Sequence, residues 1–381
     1  MLDRTPAEIA DTRALVVETA RAFAAEKLAP GAAARAKAGA IEPEIIAELG
    51  ALGFLGATVS PEWGGAGLDY LTYAMALEEI AAGDGSVSTL VSVHNSPTCL
   101  ILERFGTEAQ RERWLRPMAS GEAVSCFALT EPQAGSDASA LRTRAVRRDG
   151  AWAIDGAKQF ISNGRIAKVC VLFAVTDPSA GKKGISCFVV PTDTPGFVVA
   201  RTEDKLGQHA SDTCAIHFES MMVPDDAMIG APGEGYRIAL STLEAGRIGI
   251  AAQSVGMARA ALDYAIAYAK ERRAFGEPII GHQAVQFRLV EAKTRLEAAR
   301  QLTHHACRLK DSGAPALEAA CMAKLFASEM AEVVCSAAIQ TLGGYGYLAD
   351  YPVERIWRDV RVCQIYEGTS DVQKIILGRL L

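Results

Sequence analysis

The sequence has no stretch able to span a membrane: its longest uninterrupted apolar run, Val169 to Val175, falls far short of the roughly 18 residues a transmembrane helix needs. It has no C-x-x-C pair. Nine cysteines (Cys99, Cys126, Cys170, Cys187, Cys214, Cys307, Cys321, Cys335 and Cys363) stand singly among mostly apolar neighbours, which argues against a disulfide framework and for buried, reduced thiols. Histidine is scarce, and the adjacent His304 and His305 project from different sides of a helix rather than sharing one face, so no metal site is expected. There is no cluster of basic residues. With 39 Lys plus Arg against 45 Asp plus Glu, the net charge of −6 argues against nucleic acid as the main partner. The N-terminus carries acidic residues from Asp3 onward and no apolar block with a small-residue cleavage site, so no presequence is read and a soluble, cytoplasmic protein is expected.

What is present is a large core. Half of the 381 residues are hydrophobic and 22% are charged, a balance that excludes disorder as the dominant state and suits two or three domains. The periodicity changes character twice. From Glu8 to Arg116 it is helical: Ile9, Val16, Ala20 and Phe23 share one face of a first helix that ends before Pro30, and further helices are predicted over 43–53, 70–82 and 86–104, interrupted by the turn-rich SPEWGGAG at 60–67. From about Ser125 to Gly230 short β-rich runs take over. Asp149-Gly150 between TRAVRR and AWAID signals a hairpin, and VCVLFAV, ISCFVV, FVVA and CAIHFE have strand length and content. Helix returns from Tyr236, over roughly 236–272, 283–311, 316–341 and a last piece from Asp371, with Gly343-Gly344 stopping the third. The expected fold class is α+β: an N-terminal α-helical domain (1–122), a small middle β domain (123–231) and a C-terminal helical bundle (232–381).

Three segments carry candidate chemistry. FALTEPQAGSD (127–137) runs a strand into a turn of Pro, Gly and small oxygen-bearing residues, able to present N–H groups to a flavin edge or a phosphate, or simply to join two domains. QTLGGYGYLAD (340–350) ends a helix in glycines that either approach a phosphate or merely stop the helix. CQIYEGTSD (363–371) places Glu367 between an aromatic residue and a glycine, just ahead of N-capping residues. A carboxylate in such an apolar turn has its pKa raised toward the range of a general base, although most glutamates in turns are not catalytic.

In this order and over this architecture, the segments closely resemble the acyl-CoA dehydrogenase family, from near residue 5 to residue 381. ALTEPQAGSD and QTLGGYGYLADYPVERIWRD resemble its two diagnostic signatures and IYEGTSD its catalytic loop. The resemblance implies an FAD-dependent oxidation of an acyl-CoA thioester to the trans-2-enoyl-CoA. Glu367 would be the base that removes the α-proton and would supply a backbone N–H to the thioester carbonyl, hydride would pass to flavin N5, and an electron-transferring flavoprotein would take the electrons on.

Part of the family carries its base on the long helix after the β domain. In LEAGR (243–247) that position is Gly246, and Glu244 lies about 200° away round the helix, so Glu244 is not the base. The resemblance instead places Glu244, Arg247, Ser136, Tyr366 and Gly368 on the substrate side. It carries Phe127, Leu129, Thr130 and Ser136 to the flavin and ribityl region and Phe160, Ile161 and Ser162 to the ring face, where many relatives have Trp and Thr. Arg272, Phe275, Gln283, Gln340, Gly343 and Gly344 go to the pyrophosphate and adenosine, partly across a subunit interface, and Thr369 and Asp371 complete the FAD set. The shared cofactor implies a dimer at least and a homotetramer by family habit.

Short acyl chains are expected, butyryl or 2-methyl-branched C4 to C5, from TLEAGRIGIAAQ, VSVHNS and the compact length, which fits fatty acid β-oxidation or branched-chain amino acid catabolism. Medium-chain or isovaleryl substrates are the alternative, since a methylene or two changes binding by only about 1 to 3 kcal/mol. A flavin oxidase of the same fold, acyl-CoA or nitroalkane, is disfavoured by the chain length and by Glu, rather than Asp, at 367. A non-enzymatic relative is disfavoured by the presence of both Glu367 and Arg247.

Overall fold

The computed structural model describes residues 5–381; the first four residues of the expected N-terminal domain lie outside the described residues. The N-terminal part comprises helices α1 (Pro6–Phe23), α2 (Ala32–Ala38), α3 (Pro43–Ala51), α4 (Tyr70–Gly83), α5 (Gly85–Val93), α6 (Leu100–Phe105) and the short α7 (Glu108–Gln110) and α8 (Arg116–Ala119). Local chemistry sets their starts. The Thr5 side chain accepts from the Glu8 N–H and Glu8 bonds back to Thr5, a capping box, while Asp69 caps α4 at the Thr72 N–H. The helix predicted over 86–104 is not continuous: Ser96 takes an extended conformation (φ −142°, ψ 117°) ahead of Pro97, whose ring is incompatible with the preceding turn, so the segment divides into α5 and α6.

The middle part is one sheet of eight strands: β1 (Ser125–Ala128), β2 (Arg144–Arg148), β3 (Ala151–Ser162), β4 (Val169–Val175), β5 (Ile185–Pro191), β6 (Phe197–Thr202), β7 (Thr213–Pro224) and β8 (Met228–Ile229). Their order is β6-β7-β3-β2-β4-β5-β8, with β1 parallel to β4. Asp149-Gly150 forms the two-residue hairpin, pairing Arg148 with Ala151. β4 is buried on both faces: Val169, Val171 and Phe173 enter a core shared with helices, while Cys170, Leu172 and Ala174 enter a core closed by β5 and β7. All nine cysteines are free and buried.

The C-terminal helices are α9 (Gly235–Glu271), α10 (Gln283–Asp311), α11 (Leu317–Leu342), α12 (Pro352–Val360) and α13 (Ser370–Gly378), with a short ribbon of β9 (Arg273–Ala274) and β10 (Glu277–Pro278) after α9. Gly343 (φ +62°) ends α11. α9 packs against α11, α10 and α4 and shares one alanine-rich core with them, so it is the axis on which the N-terminal helices and the C-terminal bundle meet. Among the described residues no helix is long and apolar enough to cross a membrane and no metal-ligating cluster occurs.

Candidate active site

Between α12 and α13 the chain passes through two consecutive residues in the left-handed region, Glu367 (φ +54°) and Gly368 (φ +89°). Thr369 then caps α13, its hydroxyl accepting from the Val372 N–H at 3.2 Å. This turn folds the Glu367 side chain onto α9 at Gly246, where a Cβ would lie only 2.6 Å from Glu367 Oε2. Glycine at 246 therefore provides the space the carboxylate occupies. Oε2 is sealed from solvent and has no hydrogen-bond partner among the described residues. Burial pushes the Glu367 carboxyl up to about 7, with the charges of Arg247 and Lys324 acting in the opposite direction. Among the described residues the Glu367 N–H donates to no backbone group.

Arg247, on the turn of α9 that carries Gly246, is buried with its Nε unpaired. From α11, Lys324 Nζ donates to the Gly368 carbonyl at 2.7 Å, and Gln373 Nε2 donates to the same oxygen at 2.9 Å and to the Glu367 carbonyl at 3.3 Å. The Tyr366 hydroxyl donates to Gln253 Oε1 at 3.2 Å, anchoring the near side of the turn to α9. Tyr73 of α4 is buried nearby; burial raises its hydroxyl pKa and the Glu367 charge adds to the effect. A carboxyl held near neutrality, unsolvated and with a free oxygen, is able to accept a proton at physiological pH. Glu244 faces elsewhere, accepting from Lys310 Nζ at 2.9 Å.

A second group of sequence-predicted residues gathers where β1 runs into its loop beside β3. Phe127 packs edge-on against Phe173 at 5.2 Å, Thr130 accepts at its carbonyl from the Gln159 N–H at 2.9 Å, and Leu129 and Ile161 are buried. Ser162 ends β3 and is half-buried, whereas Ser136 is exposed in the loop. Phe160 lies within the same strand at φ +60°, which turns a large ring outward to 64% exposure. This region adjoins α9 through the 94–99 segment, where Ser96 Oγ donates to the Thr242 carbonyl at 3.5 Å.

A third group sits at the far end of α9. Arg272, Gly343 and Gly344 line a cavity of about 580 Å³ together with Tyr268, Thr341 and Tyr345. The Arg272 guanidinium lies 5.7 Å from the Tyr345 ring centroid, and among the described residues nothing beyond the adjacent residues comes within 4 Å of where a Cβ at Gly343 or Gly344 would stand. Phe275 is 97% exposed, and Gln283 and Gln340 are also exposed. From Gly246 to the end of α9 is about 37 Å at 1.5 Å per residue, so a single chain does not bring this group to Glu367. Asp371 is exposed in the first turn of α13.

Sequence reasoning missed Lys324 and Gln373, and also the buried pair of Lys158 and Glu131, 2.8 Å apart. Glu131 accepts from the Arg142 and Thr143 N–H groups and Lys158 donates to the Leu129 carbonyl, so the pair ties the loop after β1 to β3. Lys324 had a legible signal: it falls on the helical face shared by Ala320, Cys321, Ala327 and Ser328, where lysine is out of place.

Family models of acyl-CoA dehydrogenase match in three pieces: the N-terminal domain over residues 10–122, the middle domain over 126–221 and the C-terminal domain over 233–381. The chain is 44% identical to the human mitochondrial short-chain specific acyl-CoA dehydrogenase over 98% of its own length and 91% of that protein's. It superposes with TM-score 0.95 and 40% identity on butyryl-CoA dehydrogenase from Megasphaera elsdenii, covering 100% of this chain and 99% of that one. It superposes with TM-score 0.96 and 42% identity on a chain solved in work on the electron-transferring flavoprotein of Acidaminococcus fermentans and flavin-based electron bifurcation, again over 100% and 99%.

Proposed function

This chain belongs to the acyl-CoA dehydrogenase family and is an FAD-dependent oxidoreductase, and from that premise we propose that it converts a short-chain acyl-CoA, straight or 2-methyl-branched, to the trans-2-enoyl-CoA with Glu367 as the base. The observation that carries the reading is the unpaired, solvent-free Oε2 of Glu367 over Gly246. A carboxylate with no competing donor is a stronger proton acceptor than one held in an ion pair, and a carboxyl poised near 7 gives up the proton again without a large penalty. The free Glu367 N–H is a donor for the thioester carbonyl, which must be polarised before its α-proton becomes acidic enough to remove. Arg247 lies beside the carboxylate with a spare donor, and Tyr366 and Gly368 flank it. Glu244 and Ser136 are assigned to the more distant CoA portion. The relatives named short-chain specific acyl-CoA dehydrogenase and butyryl-CoA dehydrogenase support the chain length.

The residues present fit FAD. An outward-turned Phe160, the neighbouring Phe127, Leu129, Thr130, Ile161 and Ser162, and the hydroxyl of Ser136 suit a flavin and its ribityl chain. A cationic cavity with glycines open for close backbone approach suits a pyrophosphate and adenosine at Arg272, Phe275, Gln283, Gln340, Gly343 and Gly344, with Thr369 and Asp371 at the α13 end. When bound, FAD supplies the hydride acceptor. The separation of the two groups along α9 supports one cofactor completed by two subunits, and exposed Phe287, Val290, Phe326 and Val333 on α10 and α11 supply apolar surface for that assembly. We take it to be a homotetramer of protomers built from segments 1–122, 123–231 and 232–381, reoxidised by an electron-transferring flavoprotein.

The test is an anaerobic titration of the flavin-loaded protein with butyryl-, isobutyryl-, 2-methylbutyryl-, isovaleryl- and octanoyl-CoA, following loss of the visible flavin band. Fastest bleaching by butyryl- or 2-methylbutyryl-CoA is expected. Preference for octanoyl-CoA overturns the chain-length assignment, and no bleaching by any of them overturns the activity.

A further inference from the structure

Lys324 is among the most completely buried side chains of the protein, and it lies in a helix whose neighbouring residues on that face are alanine, cysteine and serine. An ammonium has three donors, yet among the described residues Lys324 uses only one, in a 2.7 Å bond to the Gly368 carbonyl, and forms no ion pair. Desolvation lowers its pKa to about 8. A lysine kept in such a place without an acidic partner is costly to the fold, so its location calls for an explanation in what it touches.

It touches the turn that aims Glu367. Two buried donors, Lys324 from α11 and Gln373 from α13, converge on the Gly368 carbonyl, and Gln373 also reaches the Glu367 carbonyl. These bonds fix the peptide between residues 368 and 369 and the one before it, in a stretch where Glu367 holds a left-handed conformation that non-glycine residues seldom adopt. The ammonium grips the backbone and not the carboxylate, which leaves Oε2 unpaired. A direct ion pair would compete for the electrons that a base must offer.

We infer that Lys324 is a positioning residue of the reaction: by clamping the Gly368 carbonyl it holds the Glu367 carboxylate over Gly246 with Oε2 free, and it presents a through-space positive charge to that carboxylate. The inference rests on the reading of Glu367 as base. The groups that act on Glu367 are Arg247 from α9 and Lys324 from α11; those that act on Lys324 are Cys363, Glu367, Arg247 and Cys321. Both cations favour the charged carboxylate, and Lys324 is the one that also holds the backbone.

The experiment compares Lys324→Met, which removes both clamp and charge, with Lys324→Gln, which keeps a donor for Gly368 but no charge. The rate of flavin bleaching by butyryl-CoA is measured from pH 5.5 to 9 in each flavin-loaded variant and in Glu367→Gln. Both Lys324 variants should shift the acid limb of the profile upward by about one pH unit. The Met variant should in addition lose about 100-fold in its plateau rate, and the Gln variant much less. A structural lysine would change melting temperature without moving the profile. Profiles that coincide with the wild type overturn the inference, and if Lys324→Met does not fold, the Lys324→Gln profile alone decides. Bleaching at the wild-type rate by Glu367→Gln would instead overturn the base assignment on which the inference rests.

Discussion

At the scale of single residues, Glu367 shows how function is set against stability. A carboxyl raised from about 4.5 unfolded to about 7 folded binds its proton more tightly in the folded state, so the protein loses stability as pH rises from near 4.5 through 7, and the loss is complete above 7. Its upper size is about 3 kcal/mol at 1.36 kcal/mol per pH unit. Glu367→Gln should therefore melt higher than the wild type at pH 8 and converge with it toward pH 5, measured on the flavin-loaded protein by scanning calorimetry. A variant no more stable at pH 8 would show that the carboxyl is not perturbed. Gly246 is the complementary residue: the sequence shows that it cannot be the base, but only the fold shows that its missing side chain is the cavity in which the base resides. Proximity across 121 positions of sequence has no local signature; Gln373 lies within six positions of the carbonyls it bonds, but a glutamine in a terminal helix reads as surface and only the fold shows that it is buried.

At the scale of elements, the strands and long helices were legible because their patterns are strong. The Asp-Gly hairpin, the doubly buried β4 and the Gly-free α11 came out where residue chemistry placed them. The break at Ser96-Pro97 did not, because the surrounding Val, Ser and Leu pattern continues on both sides of it. Helix α12 was covered by a recognised signature yet not read as a helix in its own right. The loop after β1 was read for the hydroxyls and glycine it offers, whereas the buried Lys158–Glu131 pair sets its shape. Removing one partner strands a buried charge. Lys158→Met should lower unfolding free energy by about 3 to 5 kcal/mol, and limited proteolysis should then cut within residues 131–143. Equal stability and an uncut loop would show that the pair is dispensable.

At the scale of the whole molecule, α9 carries the base site near its N-terminal third and the cationic cavity at its C-terminal end, about 37 Å apart. Residues that the family resemblance assigns to one cofactor thus fall into two groups, which fits the proposal that a second protomer unites them. Flavin content and assembly should fall together when the protein is diluted, followed by fluorescence of released flavin alongside light scattering. Flavin retained by a dissociated monomer would refute the shared site. Domain order was readable from the change of hydrophobic period along the chain, and so was the unbroken α9 expected over roughly 236–272; which residues gather at each of its ends was not, since that depends on how α11 and the turn at 367 pack against it.

The central claim is that Glu367 removes the α-proton of a short acyl-CoA, and its most direct test is anaerobic stopped-flow mixing of butyryl-CoA with the flavin-loaded wild type and Glu367→Gln at pH 7.5. The account predicts that the variant keeps its flavin and binds butyryl-CoA but bleaches at least about 1,000-fold more slowly. Bleaching within about tenfold of the wild-type rate would contradict it and place the base elsewhere.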